Sequence, residues 1–195
     1  MSKPARVRLK PAQAQLPISP SSTLLRFADR IASSGSGLVL DVACGYGRNA
    51  VVMAARGRAV VCVDRDFNRL RILERVKHQY IMENANSQSK LGEILTVCSQ
   101  IALDGWIFSE SIFDAVMCVH FVDVSLFPKF LLSLRSGGYL YFETFGAQGL
   151  NFEALPESGE IRHALRGHDL EYYSEKRVGP RERDAVSVKA LARKR

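Results

Sequence analysis

The stretch Leu38-Val39-Leu40-Asp41-Val42-Ala43-Cys44-Gly45-Tyr46-Gly47-Arg48-Asn49-Ala50 passes from an apolar run through an acid into a Gly-x-Gly turn and on into a helix-forming segment. A second apolar run, Val61-Cys62-Val63, also ends in an acid, Asp64. Short apolar runs bounded by such turns read as buried strands. Strand, helix and strand in that order need a crossover, so the two strands lie parallel in one sheet. Gly45 and Gly47 let the chain turn sharply and let a ligand approach the backbone. Asp64 stands where a carboxylate can accept hydrogen bonds from two ribose hydroxyls. The layout is that of a nucleoside site at the edge of a parallel sheet.

Charge narrows the ligand. Gly45, Gly47 and Ala50 also satisfy the dinucleotide pattern Gly-x-Gly-x-x-Ala. A dinucleotide, however, lays an anionic pyrophosphate on the helix start, where unpaired N–H groups favour negative charge. The carboxylate of Asp41 in the adjacent turn repels such a group, by roughly several kcal/mol at low dielectric. S-adenosylmethionine has no phosphate and carries two cations, a sulfonium and an ammonium. Asp41 therefore favours the methyl donor.

These residues, with Leu134-Arg135-Ser136-Gly137-Gly138 leading into Tyr139-Leu140-Tyr141-Phe142, make the chain resemble the class I S-adenosylmethionine-dependent methyltransferases. It looks most like the small bacterial branch that includes tellurite-resistance-type enzymes, in which Ala-Cys-Gly-x-Gly-Arg is followed by Val-Asp-Arg-Asp, as here at Asp64-Arg65-Asp66. The resemblance runs from about residue 20 to residue 194. It implies a Rossmann-like α/β fold with a seven-stranded, mainly parallel sheet in the order 3-2-1-4-5-7-6 and helices on both faces. It also implies S-adenosyl-L-methionine as cofactor and methyl transfer as activity.

Composition sets outer limits. A chain of 195 residues suits one domain with a real core. No apolar run has the length of a bilayer span, and the charged N-terminus has no apolar segment behind it, so the expected setting is the cytoplasm. Cys44, Cys62, Cys98 and Cys118 form no Cys-x-x-Cys pair, which predicts reduced, buried thiols and neither disulfide nor metal site. The net charge of +7 is concentrated at the ends. Lys3, Arg6, Arg8 and Lys10 sit among residues 1–10 without an acid, and Arg193, Lys194 and Arg195 close the chain, so residues 11–192 are neutral overall. Such tails are solvated ends or phosphate contacts for RNA.

The chain divides into a proline-rich, flexible basic arm over residues 1–20 and a methyltransferase domain over residues 21–195. Ser21 or Ser22 caps a helix with Leu24, Leu25, Ala28 and Ile31 on its apolar face. Strands are expected at 38–42, 59–64, 94–98, 113–119 and 139–144. Between them come helices at 46–56, stopped by Gly57, at 68–79 after the cap Asp66, and at 126–135, which buries Phe127, Leu131 and Leu134. Residues 83–92 read as a loop, and Leu103-Asp104-Gly105-Trp106 as a turn under the cofactor's edge. A short helix at 159–166 precedes two final strands, 170–177 and 184–192, joined through Gly179-Pro180.

In an open α/β sheet the ligand lies beyond the carboxyl ends of the strands. That places Asp41, Ala43, Cys44, Gly45, Gly47, Asp64, Arg65, Gln100, Ile101, Val119 and His120 at the cofactor. Gln100-Ile101 stands where the family has an acid-Leu pair. Candidates for acceptor-side catalysis are His120, Asp123 and Glu143, with His120 as a base near neutral pH or a satisfied strand-end residue. A base is needed only where the acceptor arrives protonated. Phe121-Val122-Asp123-Val124-Ser125 replaces the branch's Tyr-Leu-His-Arg-Pro run, so its histidine and arginine are gone. An Asn-Pro-Pro-Tyr signature is absent too. The reading is a methyltransferase for a small-molecule or metalloid acceptor. The alternatives are an RNA methyltransferase that uses the basic tails and a non-catalytic protein that binds the cofactor or its demethylated product. A nicotinamide-dependent oxidoreductase conflicts with Asp41.

Overall fold

The computed structural model describes residues 19–84, 90–145, 154–178 and 184–195. Ser21 caps α1 (Ser22–Ala32), its side chain accepting from the Leu24 N–H. Then follow β1 (Leu38–Val42), α2 (Ala50–Ala54), β2 (Ala59–Asp64), α3 (Phe67–Asn84), β3 (Ile94–Cys98) and β4 (Phe113–Val119). A 3-10 turn (Val124–Leu126) leads into α4 (Phe127–Ser133), β5 (Leu134–Glu143), α5 (Glu160–Ala164), β6 (Asp169–Arg177) and β7 (Val186–Arg193). The seven strands form one sheet in the order β3-β2-β1-β4-β5-β7-β6, as expected. β3 through β5 pair in parallel; β7 runs antiparallel to both β5 and β6.

Strand alternation sends side chains to two cores. Val39, Cys62, Ala115 and Met117 pack under α1, α2 and α3. Leu40, Val42, Val116, Leu140 and Phe142 pack against α4 and α5 through Phe127, Phe130 and Ile161. Covered on both faces, β4 is buried along its whole length, which is why it reads as a continuous apolar run. At the amino ends of the strands, Asp114 accepts from Arg58 Nη2 at 2.6 Å, Arg135 Nη1 at 3.1 Å and the Gly37 N–H. That cluster ties β4, β2, β5 and the turn before β1 together, far from the strands' carboxyl ends.

Several boundaries differ from expectation. The helix expected over 46–56 begins only at Ala50, because Gly45 and Gly47 take left-handed φ values of 58° and 74°, which no α-helix accepts. The third helix is longer than expected, running to Asn84, and residues 85–89 of the expected loop lie outside the described residues. The helix expected to reach 135 stops at Ser133; Leu134 already pairs with Phe113, so β5 starts early and passes through Gly137-Gly138 with a register shift. Leu25 is exposed because it flanks the Leu24–Ala28–Ile31 stripe, and Phe130 rather than the half-buried Leu131 fills the core. Cys44, Cys62 and Cys118 are buried free thiols, whereas Cys98, on the edge strand β3, is exposed.

Of the arm, only Ser19 and Pro20 are described; Lys3, Arg6, Arg8 and Lys10 lie outside. The three C-terminal basic residues do not form a free tail. Arg193 ends β7, Lys194 Nζ donates to the Leu134 carbonyl at 2.6 Å, and Arg195 pairs with Asp169 at 2.6 Å. The Gly179-Pro180 junction is also outside the described residues.

Candidate functional site

Two hollows meet at the carboxyl ends of β1, β2 and β4. The larger, 290 Å³, is lined by Asp64, Arg65, Gln100, Ile101 and Phe121 among others. The smaller, 210 Å³, is lined by Asp41, Cys44, Gly45, Arg48, Asn49 and Val119 among others. Ala43, Arg69 and His120 belong to both. Of the residues expected at the cofactor, all but Gly47 line these hollows, and Gly47 shapes the loop between them. The 103–106 turn does not line either: Trp106 instead packs on Phe108 and Phe130 and donates to Ser133 Oγ at 2.8 Å.

The loop is held from below. Asp64 Oδ2 accepts from the Gly45 N–H at 2.7 Å and Oδ1 from the Asp66 N–H at 2.8 Å. Each carboxylate oxygen keeps a second lone pair, so bracing the loop still leaves capacity for ligand hydroxyls. Asp66 in turn caps α3, accepting from the N–H groups of Asn68 and Arg69. Gly47, at φ 74°, could not carry a side chain: a Cβ there falls 2.6 Å from Leu73 Cδ1. Gly47→Ala is expected to cost about 1–2 kcal/mol for the left-handed backbone and more for the Leu73 contact. Thermal unfolding should show a melting temperature lower by several degrees; an unchanged one speaks against this packing.

Asp41 is the electrostatic centre. It is 1% exposed, and its Oδ2 has no hydrogen-bond partner among the described residues. Burial pushes its carboxyl up to about 7, against the pull of the Arg48 charge and the Ala50 N–H. A buried carboxylate oxygen without a partner is costly unless something cationic or hydrogen-bonding completes it.

The residues expected on the acceptor side are heavily engaged. Glu143 is buried and fully engaged: Ser21 Oγ and Tyr141 Oη donate to Oε2, the latter at 2.6 Å, and Lys189 Nζ lies 2.9 Å from Oε1. Burial drives its carboxyl upward, but the hydrogen bonds from Ser21, Tyr141 and Lys189 win and hold it below the usual range. Asp123 caps the 3-10 turn, accepting from the Ser125 N–H and hydroxyl. His120, exposed, takes a left-handed φ of 64° while its N–H donates to the Glu143 carbonyl at 2.7 Å. Its Nδ1 lies 3.1 Å from Arg48 Nη2. Ala43 at the end of β1 is also left-handed, at 52°. Two non-glycine residues in this region at neighbouring strand ends mark stored backbone strain at the site.

Tyr46, Arg48, Asn49, Arg69 and Phe121 were not assigned to the site from sequence, although Arg48 closes the Ala-Cys-Gly-x-Gly-Arg motif and Phe121 opens the altered run after β4. What brings Arg48 to His120, and Asn49 Oδ1 to the Ser21 N–H at 3.1 Å, is tertiary.

The profile of the family described as "Methyltransferase domain" matches residues 40–142, just over half of the chain, from within β1 to within β5. The chain belongs to this family. The fold is shared with a methyltransferase structure described as S-adenosylmethionine-dependent from Methanosarcina mazei, at 16% identity and TM-score 0.62, covering 91% of this chain and 99% of that one. It is also shared with TehB from Haemophilus influenzae, at 20% identity and TM-score 0.62, covering 88% of this chain and 61% of that one. A geranyl diphosphate C-methyltransferase from Streptomyces coelicolor, solved with Mg²⁺, geranyl diphosphate and S-adenosyl-L-homocysteine, superposes at TM-score 0.64 and 14% identity, covering 89% and 80%. No curated protein matches the sequence. The cofactor of the family is S-adenosyl-L-methionine, and the residues present fit it: the buried, unpartnered Asp41 oxygen at the hollow beside the glycine loop suits a cation. Among the described residues no helix is long and apolar enough to cross a membrane, and no cluster of metal ligands occurs.

Proposed function

We propose that the protein transfers the methyl group of S-adenosylmethionine to a small acceptor. The observation that carries this is Asp41: buried, without a partner on Oδ2, and open to the hollow beside the glycine loop. Asp41 would hold the cationic part of the cofactor, Asp64 the ribose hydroxyls, and the Gln100-Ile101 segment with Arg65 the adenine edge. Gly45 and Gly47 let the loop approach, while Ala43, Cys44 and Val119 supply apolar walls that exclude water. When bound, the cofactor supplies an already electrophilic methyl group, so the chain's task is alignment more than activation. A small acceptor is favoured because Arg193, Lys194 and Arg195 are engaged at the opposite end of the sheet from the hollows.

Isothermal titration with S-adenosylmethionine tests the first step; folded protein that shows no binding at millimolar ligand removes the proposal. The pH dependence tests Asp41 itself. Its carboxyl titrates at about 7 in the free protein, and a cation binds the ionised form, so affinity should fall as pH drops through 7. S-adenosylhomocysteine is expected to bind roughly tenfold more weakly at pH 6 than at pH 8. A flat profile over that interval counts against a cation at Asp41.

A further inference from the structure

We propose that Arg48 and His120 form the recognition pair for the methyl acceptor, and that they select an acceptor presenting an anionic oxygen. This rests on the methyl-transfer reading above and names the substrate class of that same site.

The direction of one hydrogen bond decides His120's role. Arg48 Nη2 lies 3.1 Å from His120 Nδ1, and a guanidinium has only donors. Nδ1 must therefore carry the lone pair, and the neutral ring keeps its proton on Nε2. In that state Nε2 donates and does not abstract a proton. Burial and the Arg48 charge both lower the imidazole's proton affinity, against the pull of Glu143, so the neutral form prevails at pH 7. Sequence left His120 as a base or a satisfied strand-end residue; the geometry makes it a donor.

The pair is fixed from three sides. The Ser19 carbonyl accepts from Arg48 Nη1 at 2.8 Å, the Glu143 carbonyl accepts from the His120 N–H at 2.7 Å, and the two side chains hold each other. No carboxylate among the described residues forms an ion pair with Arg48. The nearby acids are occupied: Glu143 by Ser21, Tyr141 and Lys189, Asp123 by Ser125, and Asp64 by two backbone N–H groups. Asp41 is the exception, and it lies at the floor of the hollow where the cofactor's cation is placed. Arg48 lines the smaller hollow, and its charge acts on Asp41 without an ion pair among the described residues. Beside it stands the imidazole N–H of His120, which borders both hollows, and the two are a ready pair of donors for an oxyanion.

The choice of acceptor also balances chemically. When an anionic oxygen takes a methyl group from a sulfonium, the C–S bond breaks and a C–O bond forms. The products are an uncharged thioether centre and an uncharged methyl ether or ester. No proton moves, which matches a site whose histidine is held as a donor.

The test uses long-range ¹H–¹⁵N NMR of the histidine rings in protein saturated with S-adenosylhomocysteine, with His120→Gln to assign the signals. At pH 7 Nδ1 of His120 should show the unprotonated signature and Nε2 the protonated one. Benzoate should shift these signals saturably while the neutral isostere benzamide does not, and Arg48→Met should weaken benzoate by at least about tenfold. A proton on Nδ1, equal response to benzamide, or unchanged benzoate binding in Arg48→Met overturns the proposal. Should S-adenosylhomocysteine itself fail to bind, the methyl-transfer reading fails, and the same titration on ligand-free protein still decides the anion pair.

Discussion

Asp41→Asn is expected to weaken S-adenosylhomocysteine binding by about 100-fold while making the ligand-free protein more stable at pH 8. The two effects share one cause. A charge-assisted hydrogen bond donated by a cationic ligand to a buried carboxylate is worth up to about 3 kcal/mol, or roughly two powers of ten in affinity. Without ligand, that carboxylate is a liability: Oδ2 is buried with no partner, and the carboxyl titrates at about 7 instead of its ordinary 3.8. Between those two values the folded chain binds more protons at this position than the unfolded chain. Stability therefore falls as pH rises through the window and stays reduced above it. The full difference is of the order of 4 kcal/mol, and Asn, uncharged at every pH, removes it. Calorimetric titration and denaturant unfolding at pH 5 and pH 8 check both halves. Retained affinity refutes the cation site, and an unchanged pH slope refutes the burial penalty.

Asp114→Ala should have the largest effect on the fold, a loss of about 3–5 kcal/mol. Asp114 and Arg58 both have side chains 5% exposed, and removal of the acid leaves the guanidinium buried and unpaired. Arg58 is poorly placed to adapt, since its Nε already lacks a partner and its other nitrogens are tied to the carbonyls of Ala32 and Gly37. Against a typical total of about 5–15 kcal/mol, such a loss takes a large share of the stability. Urea unfolding should show the midpoint falling at unchanged slope. Because Asp114 begins β4 and the hollows lie at its other end, the fraction that remains folded should bind S-adenosylhomocysteine with unaltered affinity. A loss under about 1 kcal/mol would mean the cluster carries less than its burial implies.

The two aspartates show what a sequence makes legible. Asp41 could be read as a cation site because its neighbours are local: an apolar strand before it and glycines after it. Asp114 sits in an equally apolar run, but its partners Arg58 and Arg135 are brought in by the sheet, so nothing nearby announced it. The same division runs through the rest. Strand positions followed from short apolar runs bounded by turns, with β1, β2 and β4 buried almost throughout and the edge strand β3 only partly covered. The strand order came from resemblance, because periodicity carries no information about which strand pairs with which. The start of α2 was misplaced because the expected helix ran through Gly47, whose left-handed φ ends any helix there. Trp106 was assigned to the cofactor's edge by its position after β3, yet its ring is claimed by Phe108 and Phe130. The Arg48–His120 and Ser21–Glu143 contacts join residues far apart in the chain and had no local signature.

Ser21 has a practical bearing on how the basic N-terminal segment can be studied. Its hydroxyl caps α1 and donates to Glu143, and its N–H donates to Asn49 in the loop, while the preceding Ser19 carbonyl holds Arg48. Among the described residues these hydrogen bonds begin at Ser19, before the expected end of the proline-rich stretch at residue 20. A shortened chain that begins at Ser22 would lose a helix cap and the hydrogen bonds to Asn49, Glu143 and Arg48 together. Inactivity in such a chain would then be mistaken for a role of the arm itself. Cutting before Ser19 separates the two.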